Sequence, residues 1–138
     1  TGGGYDEELI NQVSSLREKP VACIIDAGCV SAGETLARDF VNLAGARLFG
    51  QRSAGSSSSK RGWEFPSSIA TLTVSTRTRG GVGGKPIEYY GIEPDEEVEP
   101  VPEEVQAGKN SAIVRAQEWI AEQLKPARPT AENRDDQT

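Results

Sequence analysis

Residues 20–34 read Pro-Val-Ala-Cys-Ile-Ile-Asp-Ala-Gly-Cys-Val-Ser-Ala-Gly-Glu, and this stretch decides the fold class. Its first part, residues 21–25, is a continuous apolar run between two segments of helical periodicity, which is typical of a buried parallel strand. A turn containing Gly28 follows, and Ser31 with Glu34 three residues later has the spacing of a capping box at a helix start. The stretch therefore predicts a strand, a tight turn and the first turn of a helix.

The segments on either side continue this alternation. Residues 6–18 begin with acidic side chains, carry apolar residues at helical spacing and are followed by Pro20, so they predict an amphipathic helix. The helix that opens near Ser31 ends at Gly45, and residues 47–49 predict a second short strand. The succession helix, strand, helix, strand indicates an α/β domain.

The second half of the chain is more polar and predicts shorter elements. Residues 51–62, with four serines in a row at 56–59, are typical of a mobile surface loop. We expect Trp63 and Phe65 to cover the core, with a place in a substrate pocket as the alternative. The other predicted elements are a strand exposed on one face at 69–79, a flexible turn at 80–84, a strand at 87–92, an extended acidic segment at 94–102, a helix at 111–124 and a disordered tail after Pro126.

Composition excludes several classes of function. The 138 residues fit one domain, and 15 basic against 21 acidic side chains give a net charge of −6, which disfavours nucleic acid and anionic membranes as partners. No apolar run reaches the roughly 18 residues that a membrane span needs. The chain has no histidine, so these residues alone form no Ser-His-Asp triad and no His-ligated zinc site. We expect no metal and no organic cofactor.

Ser31 is the candidate nucleophile. It follows the carboxyl end of the predicted strand, where open α/β folds bind ligands, and amides of a first helical turn favour a developing oxyanion. The alternative is an ordinary helix cap completed by Glu34, and spacing alone favours that alternative.

Four segments in order along the chain resemble the C-terminal processing peptidases, the serine-protease family that includes the tricorn core protease and the repeats of interphotoreceptor retinoid-binding protein. These segments are Gly2-Gly3-Gly4-Tyr5, the stretch 20–34 with Ser-Ala-Gly-Glu at its end, residues 47–56, and Gly-Ile-Glu-Pro-Asp at 91–95. The resemblance implies an α/β domain of the crotonase/ClpP-like type, with stacked βαβ units and a mixed sheet. We therefore divide the chain into the C-terminal part of a protease catalytic domain at 1–98, an acidic, proline-containing linker with a helix at 99–125, and a disordered tail at 126–138.

Carried over through this resemblance, Ser31 matches the nucleophile, and the amides of Ala32 and Gly3 match the oxyanion hole. The lysine of the processing-peptidase branch would fall at Ser56, so a Ser-Lys mechanism would require a slip to Lys60. The tricorn-like branch instead uses a serine, histidine, serine and glutamate arrangement, and Glu88 has the place of that glutamate. Glu88 would orient an imidazolium or hold a partner that does so; the alternative is a solvated carboxylate on an edge strand.

The resulting hypothesis is a serine protease that forms an acyl-enzyme on Ser31. Its base histidine would come from polypeptide upstream of this chain or from a separate chain, so the expected partners are a polypeptide substrate and the N-terminal remainder of the protease, with an oligomer also possible. No nucleic acid and no membrane span are expected. The resemblance favours a secreted or periplasmic location, and the absence of methionine, including at Thr1, suggests a processed product or a fragment.

Other interpretations stay open. A non-catalytic ligand- or peptide-binding module of the same fold fits the missing lysine equally well. Thr1 could act as an N-terminal nucleophile with its own amine as base. Cys29 has no basic neighbour in the sequence and is read as an inert thiol. The acidic clusters at 95–97 and 103–104 lack the spacing of a calcium loop and are read as solvated.

Overall fold

The computed structural model describes residues 7–78 and 80–125. Its helices are α1 (Glu7–Ser14), α2 (Ala32–Ala44), α3 (Pro102–Gln106) and α4 (Ser111–Gln123), and its strands are β1 (Ala22–Ile25), β2 (Arg47–Gly50), β3 (Ser59–Glu64), β4 (Thr71–Arg77) and β5 (Glu96–Glu97). Short 3₁₀ turns lie at Ser15–Glu18, Pro66–Ser68 and Val82–Gly84. The predicted α/β fold class is confirmed, with one parallel and one antiparallel sheet.

The central sheet is parallel and has the strand order β1-β2-β5. Helix α2 is the crossover between β1 and β2, so these three elements form one βαβ unit. Side chains alternate between the two faces of a strand. Leu48 packs with Ala37 of α2 in the core, whereas the ring of Phe49 lies 5.7 Å from that of Trp119 in α4. The two helices therefore cover opposite faces of the sheet.

Two isoleucines from later in the chain complete the core beneath α2. Ile87 and Ile92 are 0% and 3% exposed, and they join Ile25 and Leu48 in one apolar cluster. Full burial of such a side chain contributes roughly 1.5–3 kcal/mol. The segment between the two isoleucines is thus fixed to the core at both ends.

That segment, residues 87–92, is a turn, so the predicted strand was wrong. The amides of Tyr90 and Gly91 both donate to the carbonyl of Ile87, at 3.1 and 2.7 Å. Tyr89 and Gly91 have φ angles of 69° and 70°, in the left-handed region that interrupts a strand. The segment resembled a strand in the sequence because Ile87 and Ile92 are apolar, but these two residues are apolar because each is buried in the core.

Strands β3 and β4 form an antiparallel hairpin whose side chains are exposed on both faces. The prediction of one buried face was therefore wrong, because alternation buries a face only where the sheet lies against a core. Trp63 and Phe65 are also about half exposed, so the expectation that they cover the core was wrong. Strand β3 begins within the predicted loop at 51–62 and extends two residues beyond it.

The segment that follows α1 is bonded to the C-terminal end of α2. The Arg17 guanidinium after α1 donates to the carbonyls of Asn42 and Leu43 at the last turn of α2, at 2.6 and 2.5 Å. Helix α3 was not predicted, because its five residues fall in a proline- and glutamate-rich stretch. Within residues 7–78 and 80–125, no helix is long and apolar enough to cross a bilayer.

Candidate active site

Ser31 occupies a sharp turn between β1 and α2. Its φ and ψ angles are 52° and −113°, whereas a helix N-cap ordinarily has extended backbone. Its hydroxyl lies near the amide of Glu34, as in a capping box, but makes no hydrogen bond of cap geometry. An exposed serine on a strained strand-to-helix turn is the arrangement of the nucleophile elbow in serine hydrolases. The backbone thus differs from that of the ordinary cap considered in the sequence analysis.

The amide of Ala32 begins α2 and is available to an external acceptor. First-turn amides of a helix have no intrahelical carbonyl to bind. The Ala32 N–H makes no hydrogen bond within the part of the chain that the structure describes, and the residue is exposed. Gly3, the other predicted oxyanion donor, and Thr1 lie outside the described residues.

An open groove of about 490 Å³ runs from Ser31 along α2. One wall is the exposed face of the helix, with Ala32, Leu36 and Asp39, and the other is formed by residues 57–59. A larger hollow of about 630 Å³ lies beside Tyr90, and Ser31 does not line it. The groove is the candidate site because it contains both the candidate nucleophile and an unpaired amide.

Glu34 binds the serine-rich segment from the α2 side. Its side chain is 0% exposed, and its carboxylate accepts hydrogen bonds from five groups. The donors are the Ser53 hydroxyl at 2.6 Å and the Gly55 amide at 2.7 Å on Oε1, and the Ser57 hydroxyl at 2.6 Å, the Ser56 amide at 3.0 Å and the Ser31 amide at 3.2 Å on Oε2. Burial acts to raise the pKa of Glu34, but the bonds from Ser53, Ser57, Gly55 and Ser56 together lower it.

Glu88 binds the same segment from the opposite side. It is 8% exposed, and its carboxylate accepts from the Ser58 hydroxyl and Ser75 hydroxyl on Oε1, at 2.9 and 3.3 Å. The amides of Ser57 and Ser58 donate to Oε2 at 2.9 and 2.7 Å. The Ser58 hydroxyl bond chiefly lowers the pKa of Glu88, against the effect of burial. The alternative of a solvated edge-strand carboxylate was therefore wrong.

Residues 53–58 are consequently an ordered clamp between two buried carboxylates, and the prediction of a mobile loop there was wrong. Ser57 belongs to both halves: its amide donates to Glu88, and its hydroxyl lies within bonding distance of Glu34 and of the Ser31 carbonyl, at 2.6 and 3.2 Å. Sequence analysis missed Ser57 and Ser58 as site residues. The available signal was the run of four serines at 56–59, which lies between Glu34 and Glu88 in the sequence.

Ser31 and its chain neighbour Ala32 both line the groove. Among the described hydrogen bonds, none joins the Glu88 carboxylate to Ser31. Ser58 lies between them, since it lines the groove and donates to Glu88. Hydrogen bonds therefore connect Glu88 to the groove through this hydroxyl and through the clamp.

Comparison with known protein families identifies the family of this chain. Residues 2–98 match the family model of Peptidase family S41. The chain belongs to peptidase family S41. No curated protein matches it.

Solved structures place the S41 chain in the same fold. A candidate peptidase from Parabacteroides merdae is 25% identical with a TM-score of 0.59, over 73% of this chain and 31% of that one. The tricorn protease is 24% identical with a TM-score of 0.57, over 77% and 11%. The mature form of CPAF, complexed with lactacystin, is 19% identical with a TM-score of 0.55, over 75% and 19%. The S41 chain spans less than a third of the length of each of these relatives.

Lys60 is near the clamp of the S41 chain but does not contact Ser31. Its Nζ lies 3.4 Å from the Ser56 hydroxyl, on an exposed strand. Among the described contacts, Lys60 therefore does not take the position beside Ser31 that a Ser-Lys mechanism would require.

Cys29 fits the inert thiol expected from the sequence. Burial, followed by the nearby carboxylates of Glu34 and Asp26, raises the pKa of its thiol. Across the two described ranges of the S41 chain, no three His, Cys, Asp or Glu side chains converge to hold a metal ion.

Proposed function

We propose that the S41 chain carries the nucleophile of a serine protease, and that this nucleophile is Ser31. The observation that carries the proposal is an exposed serine with a positive φ angle, followed by the Ala32 amide, which starts a helix and has no partner among residues 7–78 and 80–125. A serine hydroxyl needs a base and a stabilised oxyanion to attack an amide, and this end of α2 supplies the second of these.

The proposed reaction proceeds through an acyl-enzyme. The Ser31 oxygen attacks the scissile carbonyl carbon, while the base takes the hydroxyl proton and the amides of Ala32 and Gly3 bind the oxyanion. Collapse of the tetrahedral intermediate breaks the C–N bond, and the base returns the proton to the leaving amine. Water then hydrolyses the ester by the same two steps.

The base in this proposal is a histidine from polypeptide outside the chain, upstream or separate, because the 138 residues contain none. Glu88 acts in a tricorn-like manner through the Ser58 hydroxyl, which is 2.9 Å from its carboxylate and lines the groove. Four donors already occupy the Glu88 carboxylate, which favours this indirect route over direct contact with an imidazole.

The proposed partners are a polypeptide substrate and the N-terminal remainder of the protease. The groove favours an extended chain with an apolar side chain over Leu36, which is 58% exposed. The proposal does not specify an oligomeric state.

The second candidate is a non-catalytic binding module of the same fold. Two observations favour it: the chain has no histidine, and its lysine nearest the clamp contacts Ser56 instead of Ser31. Binding that survives a Ser31→Ala change in the complete protein, with no hydrolysis in either form, would support this candidate.

Reaction with a fluorophosphonate probe tests the protease proposal. The complete protein should be labelled at Ser31, the Ser31→Ala variant should not be labelled, and Ser68→Ala, an exposed serine at the hairpin tip outside the groove, should be labelled like the wild type. The isolated chain should react much more slowly, and adding the upstream polypeptide should restore the rate. Absence of labelling in the complete protein would overturn the proposal.

A further inference from the structure

Glu34 is the most enclosed charged side chain near the groove, and the reaction as proposed does not use it. It is the third residue of α2, with 0% exposure, while Ser31 and Ala32 at the head of the same helix are exposed. A buried carboxylate is retained only where hydrogen bonds or charges compensate its loss of water.

The hydrogen bonds that compensate come from the Ser31 turn and from residues 53–57, which lead into the groove wall at 57–59. Oε1 binds the Ser53 hydroxyl and the Gly55 amide, and Oε2 binds the Ser57 hydroxyl, the Ser56 amide and the Ser31 amide. These five donors exceed what a neutral side chain can accept, because a glutamine in this place would turn an NH₂ group toward some of them. The negative charge of Glu34, and not only its shape, is therefore matched to its surroundings.

Two acceptors, Glu34 and Ser56, occupy the Ser31 amide on the side away from the groove. The Ser31 N–H points inward, to Glu34 Oε2 at 3.2 Å and to the Ser56 carbonyl at 3.0 Å. With that amide occupied, the next one, at Ala32, is the donor left at the exposed end of the helix. The left-handed conformation of Ser31 is unfavourable in isolation and persists only where neighbours hold it.

We propose that Glu34 is a positioning residue, which holds the Ser31 elbow and the 53–57 segment in register so that the Ser31 hydroxyl and the Ala32 amide converge on one substrate carbonyl. This inference rests on the proposed function of Ser31. Glu34 touches no substrate atom; it acts through the backbone of Ser31 and through Ser57.

The test measures fluorophosphonate labelling of Ser31 in the complete protein and separates the maximal rate of inactivation from the half-saturating probe concentration. Glu34→Gln should lower the maximal rate roughly tenfold to a hundredfold, the cost of a small misplacement of reacting groups, with little change in half-saturation. Glu34→Asp keeps the charge and should recover part of the rate. Glu97→Gln, an exposed carboxylate on β5, is the matched control and should react like the wild type.

Far-ultraviolet circular dichroism and a thermal melt report the folded fraction of each variant. If Glu34→Gln does not fold, Ser57→Ala replaces it, since this change removes one donor at the edge of the groove; a several-fold lower maximal rate in a folded protein supports the inference. Wild-type rates in both variants overturn it, and so does a rate loss that matches the loss of folded protein. An unlabelled wild type overturns the proposed function itself, and the Glu34 inference with it.

Discussion

Ser31 and Tyr89 lie on the two sides of the clamp and share an unusual backbone, with φ angles of 52° and 69°. Each such residue costs about 1–3 kcal/mol unless its surroundings impose the conformation. The Tyr89 side chain is 85% exposed, so packing does not hold it there. Its amide donates to the Gly55 carbonyl at 2.8 Å, and this bond fixes the residue next to Glu88 against the clamp.

Two glycines that both have positive φ angles allow the energetic effect of this close approach to be measured. A Cβ at Gly55 (φ 74°) would lie 2.7 Å from the Gly91 nitrogen, whereas one at Gly83 (φ 62°) would meet nothing within 4 Å. Gly83→Ala should lower the free energy of unfolding by about 1–2 kcal/mol, the cost of left-handed backbone alone. Gly55→Ala should lose about 1–3 kcal/mol more, because the two segments must separate. Urea denaturation measures both; equal losses would show that the segments are not in tight contact.

At the scale of elements, α4 is part of the layer that covers the sheet. Phe49 of β2 and Trp119 of α4 pack 5.7 Å apart, and the Arg47 guanidinium lies 5.4 and 5.6 Å from the centres of their rings. Arg115 of α4 also pairs with Glu96 of β5 at 2.5 Å. Helix α4 thus lies against β1 and β2 and is joined to β5 by an ion pair, although the family match ends at residue 98.

This packing predicts that Trp119→Ala lowers the free energy of unfolding by about 2–4 kcal/mol, because the ring leaves an unfilled space against Phe49. Leu124→Ala is the matched control: this leucine follows the same helix, is 67% exposed and should cost less than about 0.5 kcal/mol. Chemical denaturation of both variants, followed by circular dichroism, checks the difference. A loss at Trp119 no larger than at Leu124 would mean that α4 does not stabilise the sheet.

The sequence predicted the elements whose burial follows a regular period. The run at 21–25 and the amphipathic stretches of α2 and α4 were read correctly because each element places one apolar face or strand against the core. It did not predict the turn at 87–92, where two buried isoleucines are anchors with left-handed residues between them. The family resemblance singled out Ser31 and Glu88 as candidates, but the clamp depends on which carboxylate meets which serine, and that information exists only in three dimensions.

For the molecule as a whole, the two buried glutamates make stability depend on pH. In the folded protein the pKa values of Glu34 and Glu88 both lie below their usual value of 4.5. Below about pH 4.5 the unfolded chain therefore binds more protons at these groups than the folded chain does. Their contribution is present above that pH and is lost as the pH falls through the folded pKa values.

We expect the free energy of unfolding, measured by urea titration between pH 7 and pH 3, to decline below about pH 4.5. Glu88→Gln should lower it at neutral pH and make the decline shallower, because one of the two groups no longer titrates. Leu124→Ala, which removes no titratable group, should leave the shape of the profile unchanged. If the slopes of Glu88→Gln and the wild type coincide, the Glu88 carboxylate does not contribute to this dependence.

The clamp also determines where the length of the chain can change. Residues 53–58 are bonded on both sides, to Glu34 and to Glu88, so an extra residue there would shift every donor out of register with one carboxylate or the other. The hairpin tip at 65–70 carries no such double attachment and is exposed. For protein engineering, an epitope tag or a reporter sequence should therefore be inserted at the tip, where no such bonds constrain its length. The number of residues in the clamp should stay unchanged.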